Sequence, residues 1–299
     1  MPDTPRGSDP SLDPVSAVGL FLPCDLCGSG SGVAVRQPPN LDGPLVQCPE
    51  CGLYYVGVRA SGLAYGTAPG VSTARKIAEA NRRFPDLPRE EEERLDLLNA
   101  RWRLDLIKRY RRSGRLLEVG CGRGAFLKAA REVFEVCGVE PNPEHAREAS
   151  REAEVFEGLV EDSPWSGFDV AVSFHVLEHV ASPSRFLQSL ADRLNRGGLL
   201  AIETPDIGAW PYRVFGSRWR QFIPEHYYFF DHETLTRMLS KSGFDLRHLS
   251  SAGKYASPAL LLNRLSRQVS FLQSLSRRTS TWAFPVNPGD IMLAIAVRR

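Results

Sequence analysis

Four cysteines near the N-terminus come in two pairs, Cys24-Asp-Leu-Cys27-Gly28 and Cys48-Pro-Glu-Cys51-Gly52. Each pair sets two thiolates close enough to share one tetrahedral ion, and the glycine after the second cysteine permits the sharp turn such a knuckle needs. The Cys27 to Cys48 spacing suits a zinc-ribbon loop. Zinc held by four thiolates keeps no open position for water, so a structural zinc would fold the module and leave chemistry to other residues. Two redox CxxC pairs are the competing reading. Only Arg36 and Arg59 are basic between residues 20 and 60, too few phosphate contacts to give nucleic-acid affinity.

A second constellation is Leu116-Leu117-Glu118-Val119-Gly120-Cys121-Gly122-Arg123-Gly124. It reads as a buried strand, a glycine turn and a helix start, where a cofactor approaches backbone amides at the carboxyl end of the strand. The spacing is GxGxG rather than GxGxxG, and Glu118 precedes it. A carboxylate there repels a pyrophosphate and suits an ammonium group such as the methionine amine of S-adenosylmethionine. Glu140 ends the next strand-like run, where an acid accepts hydrogen bonds from both ribose hydroxyls. Methyl transfer from a sulfonium is an in-line displacement, so a hydroxyl or carbon acceptor also needs a base. Two clusters could supply it: His175/Glu178/His179, and Glu225-His226 ahead of Tyr227-Tyr228-Phe229-Phe230. Histidine titrates near neutrality, and an adjacent acid can orient it or raise its basicity.

The elements that must position these groups alternate. Arg89–Arg112 carries Leu95, Leu98, Trp102, Leu106 and Tyr110 on one face of an amphipathic helix. After Gly114, strand-like runs at 116–119, 136–140, 155–157, 169–174, 199–203, 244–250 and 291–297 alternate with helical patterns. The expected fold is α/β, a Rossmann-like, seven-stranded, doubly wound, mostly parallel sheet with a small N-terminal zinc-ribbon-like module. The expected organisation is a disordered Pro-rich tail at 1–18, the four-cysteine module at 19–60, a linker at 61–88, and a catalytic domain at 89–299 with a helical insertion at about 254–287.

Within 90–250 and again at 288–299 the chain resembles the class I S-adenosylmethionine-dependent methyltransferases, of ubiquinone-type and methyltransferase-23-like kind. Besides the glycine loop, the resemblance rests on Gly167-Phe168-Asp169-Val170-Ala171-Val172-Ser173-Phe174-His175-Val176-Leu177-Glu178-His179-Val180 and on Leu194-Asn195-Arg196-Gly197-Gly198 entering the fifth strand. It implies that Glu118, Gly120, Cys121, Gly122 and Gly124 surround the methionine part and that Glu140 holds the ribose. It further implies that Glu161 and Asp162 lie near the adenine, while Ser173, Phe174 and His175 line the sulfonium. Ubiquinone-type enzymes place acids and a His around a divalent cation at this turn, whereas this chain carries His175 where they carry an acid. Magnesium prefers oxygen ligands, so the departure counts against a hard cation. A purely structural, turn-capping role for Glu178 and His179 competes with catalysis. Glu225-His226 resembles the proton-removing pair of deoxysugar C-methyltransferases, which also carry a four-cysteine zinc module. On that resemblance His226, helped by Glu225, is the base.

Net charge is +2, with 24% charged and 42% hydrophobic residues. That composition belongs to a globular protein and supplies no basic stripe for nucleic acid. No apolar run suffices to cross a bilayer, and a cytoplasmic protein is expected. Residues 258–280 place Leu261, Leu265, Val269, Leu272 and Leu275 at helical spacing among arginines. They either pack over the cleft or against a second copy in a homodimer, or lie as a peripheral basic helix on a membrane. The sequence thus points to methylation of a hydroxyl or carbon on a small molecule: a sugar, a polysaccharide precursor or a phenol-like metabolite. The alternatives are an RNA base methyltransferase with a zinc recognition module, and a non-catalytic S-adenosylmethionine-binding scaffold.

Overall fold

The computed structural model describes residues 22–41, 43–57, 88–260 and 282–299. The tail at 1–18, the linker expected at 61–88 except for Pro88, and the helical pattern within 261–280 fall outside the described residues.

Seven strands form the main sheet: β4 (Arg115–Val119), β5 (Glu135–Glu140), β6 (Glu154–Glu157), β7 (Phe168–Phe174), β8 (Leu194–Pro205), β10 (Phe244–Ser251) and β13 (Ile291–Arg298). Their order is β10-β13-β8-β7-β4-β5-β6. β13 pairs antiparallel with both β8 and β10, and the remaining pairs are parallel. α1 (Arg89–Ile107) precedes the sheet, and the crossovers run through α2 (Ala125–Ala130), α3 (Pro143–Ala149), α4 (Pro183–Arg193) and α6 (His232–Lys241), with a short α5 (Trp210–Phe215) after β8. Leu117, Ala171, Leu200 and Ile202 bury against one helical layer; Leu116, Val170, Val172 and Ala201 bury against the other, with α1 and α2. Burial on both faces explains why these strands read as continuous apolar runs instead of alternating ones.

Helix starts follow local chemistry. Asn142 caps α3 through Glu144 N and His145 N, with Pro143 at the first helical position. Asp231 and Thr234 form a reciprocal cap on α6. α1 ends at Ile107 rather than running to Arg112, and Arg111 instead donates to Asp169 at 2.6 Å, tying the turn to the start of β7.

The cysteine segment forms β1 (Val33–Arg36), β2 (Leu45–Gln47) and β3 (Tyr54–Val56), each antiparallel to the next. A fourth strand completes this sheet, β9 (Tyr228–Phe229), and it comes from the catalytic domain. The module and the domain also share one core, in which Leu45, Leu53 and Tyr55 join Leu177, Trp219, Phe222 and Phe229. The region at 254–287 begins and ends as a two-stranded ribbon, β11 (Lys254–Ala256) with β12 (Phe284–Val286).

Candidate functional site

The glycine loop sits where β4 ends, beside β5 and β7. Gly120 has φ +77°, and a Cβ there would stand 2.4 Å from Val176 Cγ2. Gly124 has φ +84° and would press a Cβ within 2.9 Å of Ala149 Cα. Both the turn and its close packing therefore require glycine. Gly120→Ala is expected to destabilise the fold by about 1–3 kcal/mol through the positive φ, before any cost of the Val176 clash is added. Thermal denaturation against the parent chain checks this.

Around the loop, Glu140 accepts from Gly122 N and Asn142 N, both at 2.9 Å, one bond on each carboxylate oxygen. Each oxygen keeps a lone pair for a ligand hydroxyl. Glu118 is 5% exposed, and its Oε2 has no hydrogen-bond partner among the described residues. Burial pushes its carboxyl well above the ordinary range. An orphaned, buried acceptor beside a glycine loop fits the methionine ammonium of S-adenosylmethionine, which would satisfy the oxygen and bring the acid back to its charged form. Arg103 of α1 lies over the Phe174 ring, 4.5 Å from its centroid, and is the nearest cationic influence on Glu118.

The other expected cofactor residues divide by what their side chains do. The Ser173 hydroxyl donates to Val119 O at 3.1 Å, tying β7 to β4 under the loop. The Cys121 side chain is buried beneath the loop against Gly138, leaving its backbone in the turn. Phe174 packs edge-on to Phe126, with ring centroids 5.1 Å apart. Glu161 and Asp162 stand on an exposed 3-10 turn after β6, and Glu161 O accepts from Arg193.

The two base-bearing clusters, separate in sequence, are one cluster in space. His175 is held at φ +56°, a left-handed conformation that a non-glycine residue adopts under constraint. Its Nδ1 lies 3.3 Å from Glu178 Oε1 and its Nε2 3.3 Å from Glu203 Oε1. Carboxylates only accept, so both ring nitrogens carry protons and His175 is an imidazolium, its pKa raised to about 9 by these partners against the opposing effect of burial. Glu203, at the end of β8, also receives Arg103 at 2.5 Å. Glu178 is fully buried and accepts from Thr204 Oγ1 at 2.9 Å. Despite burial, these cationic partners hold both carboxyls down at about 2. His175 and Arg103 together balance the two negative charges.

His226 is the counterpart from the other loop. Its Nδ1 donates to Gln221 O at 2.8 Å, which leaves Nε2 as the lone-pair nitrogen, 3.9 Å from Glu178 Oε1. Burial, with the nearby His179, pushes its pKa down to about 3, so it is neutral at ordinary pH. His179 packs edge-on against it, centroids 4.6 Å apart, and donates Nδ1–H to Glu225 O at 2.8 Å. Glu225 thus serves through its backbone carbonyl. The acid recorded beside the His226 ring is Glu178, while Glu225 meets the neighbouring His179.

Glu178, His179 and His226 offer ligand atoms within 4.8 Å of one another. One carboxylate and two imidazoles do not fit magnesium, which takes oxygen ligands. At the module, Cys24, Cys27, Cys48 and Cys51 also bring their sulfurs within 4.8 Å, with Cys24–Cys51 at 3.4 Å and Cys27–Cys48 at 3.5 Å. Tetrahedral zinc with Zn–S bonds of about 2.3 Å sets sulfurs about 3.8 Å apart, so the four fit that ion.

Sequence reasoning overlooked Arg103, Glu203 and Thr204. A signal for Glu203 was present, since β4, β5 and β8 each carry an acid at the end of an apolar run. The aromatic stretch at 210–230 divides as well: Trp219, Phe222 and Phe229 pack ring against ring, Tyr227 and Phe230 are buried in the same core, and Trp210 and Phe215 are exposed. The buried group is lid core and has no free face for stacking a ligand.

Comparison with known proteins agrees with this geometry. A family model described as "Methyltransferase domain" matches residues 91–249. The ubiquinone biosynthesis O-methyltransferase of Azorhizobium caulinodans is 32% identical over 100 residues, 30% of this chain and 40% of that protein. A probable S-adenosylmethionine-dependent methyltransferase of Mycobacterium tuberculosis is 33% identical over 137 residues, 43% of this chain and 48% of that protein. The chain thus spans about half the length of these curated relatives. Among solved structures, the complex between the Haloferax volcanii Trm112 methyltransferase activator and a methyltransferase matches with TM-score 0.51 and 15% identity, over 70% of this chain and 93% of the matched one, a likeness of fold. The family match over more than half its length, together with the strand order and the glycine loop, makes this chain a class I S-adenosylmethionine-dependent methyltransferase.

Proposed function

We propose that the enzyme methylates a hydroxyl of a small molecule, a sugar, polysaccharide precursor or phenol-like metabolite, with an acidic carbon as the second acceptor type. The observation that carries this is the placement of buried His226, whose Nδ1 is taken by Gln221 O while Nε2 faces the Glu178 carboxylate at 3.9 Å. S-adenosylmethionine supplies the electrophilic methyl when bound; Glu118 would hold its ammonium and Glu140 its ribose. His226 Nε2 takes the acceptor proton, and Glu178 on one side and Gln221 O on the other stabilise the imidazolium so formed. Glu178 is kept ionised for this role by His175. Curated relatives are by name ubiquinone biosynthesis O-methyltransferases, which supports the hydroxyl reading.

In the same reading the four-cysteine cluster, its sulfurs within 4.8 Å of one another, holds a structural zinc, and the protein works in the cytoplasm. No helix among the described residues is long and apolar enough to cross a membrane. The near-neutral composition argues against a nucleic-acid acceptor. Peripheral membrane contact or a homodimer through 258–280 remains a proposal tested by liposome co-sedimentation and light scattering. The functional test is incubation with methyl-labelled S-adenosylmethionine and panels of sugar nucleotides, phenols, amines and RNA. Label in a hydroxyl or carbon of the first two panels is the expected result. Transfer only to RNA or amines, or none in any panel, overturns the proposal.

A further inference from the structure

The cysteine module is built into the acceptor side of the site. β3 begins three residues after Cys51 and pairs with β9, Tyr54 opposite Phe229 and Tyr55 opposite Tyr228. Val56 N donates to Tyr227 O at 2.9 Å, and Tyr227 N donates to Glu178 O at 2.8 Å. Backbone hydrogen bonds therefore run from the second knuckle to the residue after His226, and on to Glu178. The first knuckle makes a separate connection. The Asp25 carboxylate accepts from Ser182 Oγ and Ser184 N, both at 2.6 Å, at the start of α4, three residues beyond His179. Lys241 of α6 donates to Leu26 O at 2.8 Å, and Arg237 to Cys51 O at 3.2 Å.

Two physical facts make this coupling matter. β9 is two residues long and, among the described residues, its ladder partner is β3; the flanking Tyr227 and Phe230 are tied to Glu178 and Ile207 by single backbone bonds. The module itself, at 19–60, is close to the size of roughly 40 residues below which a metal is usually needed to fold a core. Among the described residues, Glu118, Gly122 and Glu140 make no hydrogen bond to the module.

We propose that the four-cysteine module is a positioning element for the base: metal in the knuckles holds β3, β3 holds β9, and β9 with Asp25 fixes His226 and the Glu178–His179 turn. The inference rests on the assignment of His226 and Glu178 as the acceptor-side base. Cofactor binding and base positioning are then separable, and only the second depends on the metal.

The test is amide hydrogen exchange on the full chain, zinc-loaded and then zinc-stripped by chelation under reducing conditions, with cofactor affinity measured in parallel by calorimetry. Stripping is expected to speed exchange at 177–182 and 225–230 by at least about tenfold, a loss of local stability of about 1.4 kcal/mol, while cofactor affinity moves by less than about threefold. Asp25→Ala retains all four thiolates and is expected to bind one zinc yet still loosen 177–186. Asp25→Asn, which keeps an acceptor for Ser184 N, restores most of that protection. Unchanged exchange after confirmed zinc loss, or in zinc-loaded Asp25→Ala, overturns the proposal. Cofactor affinity lost together with the loop also overturns it, because the module would then support the whole fold. A fully active His226→Ala enzyme would remove the base assignment while leaving these exchange data standing.

Discussion

Replacing His226 with Ala is expected to lower turnover by about 10²–10⁴-fold, the usual worth of a positioned general base, while S-adenosylmethionine affinity stays within about twofold. The separation follows from geometry: His226 meets Glu178, His179 and Gln221, whereas the cofactor groups Glu118 and Glu140 lie on β4 and β5. Single-turnover rates with a labelled cofactor, alongside calorimetric binding, distinguish a lost base from a lost site. Full turnover in His226→Ala would end the assignment.

The pH profile carries the same signature. His226 stays neutral down to about 3, so the reactive form of the base is present across the neutral range. On the alkaline side His175 loses its proton near about 9, leaving Glu178 and Glu203 opposed by Arg103 alone, and activity is expected to fall there. Stability follows in a stated direction. The His175 pKa is raised in the folded state, so its contribution is complete below its unfolded value of about 6.5 and fades as pH rises through about 9. Glu178 and Glu203 are depressed, so theirs is complete above about 4.5 and fades as pH falls through about 2. Below about 6.5 the depressed histidines His226 and His179 work the other way, because they take up protons only on unfolding. The His175 effect is therefore read above that pH, and thermal unfolding from pH 7 to 10 should show a midpoint that declines. A midpoint that instead climbs between pH 7 and 9 would contradict the His175 clamp.

Glu118→Gln is expected to weaken S-adenosylmethionine binding by about ten- to a hundredfold, corresponding to the 1.5–3 kcal/mol typical of a hydrogen bond to a charged group. Its Oε2 is buried without a partner, so a cationic ligand gains the full benefit of satisfying it. Gln keeps the shape and removes the charge. Because the unliganded acid is held above its ordinary pKa by burial, binding of the ammonium should also expel a proton from the wild-type site. Calorimetry in buffers of different ionisation enthalpy reads both effects at once. Unchanged affinity in Glu118→Gln would remove the ammonium from this position.

The fold was legible because its signals are local. Burial on both faces makes apolar strands, and glycines at fixed spacing make a tight turn, so seven strands in a mostly parallel sheet and the Glu118–Gly124 turn beside Glu140 could be anticipated. Cysteine spacing likewise sufficed to gather four sulfurs. Strand β9 escaped notice because two residues carry no periodicity and its ladder partner, β3, lies more than 170 positions earlier in the chain. Arg103 escaped for a similar reason, since its place on a polar helix face says nothing of the strand end it reaches.

By itself, then, the sequence determined the α/β class, the glycine turn after β4 and the gathering of the four cysteines, all of which arise from short-range pattern and covalent spacing. Tertiary structure decided which acid serves which histidine. Glu178, 48 positions before His226, is brought to within 3.9 Å of its ring, while the Glu225 carbonyl accepts from His179. Charge and protonation were settled there too, because burial and long-range partners make His175 an imidazolium and His226 a neutral base from the same residue type. An isolated histidine titrates near neutrality, and only its surroundings decide which way it moves.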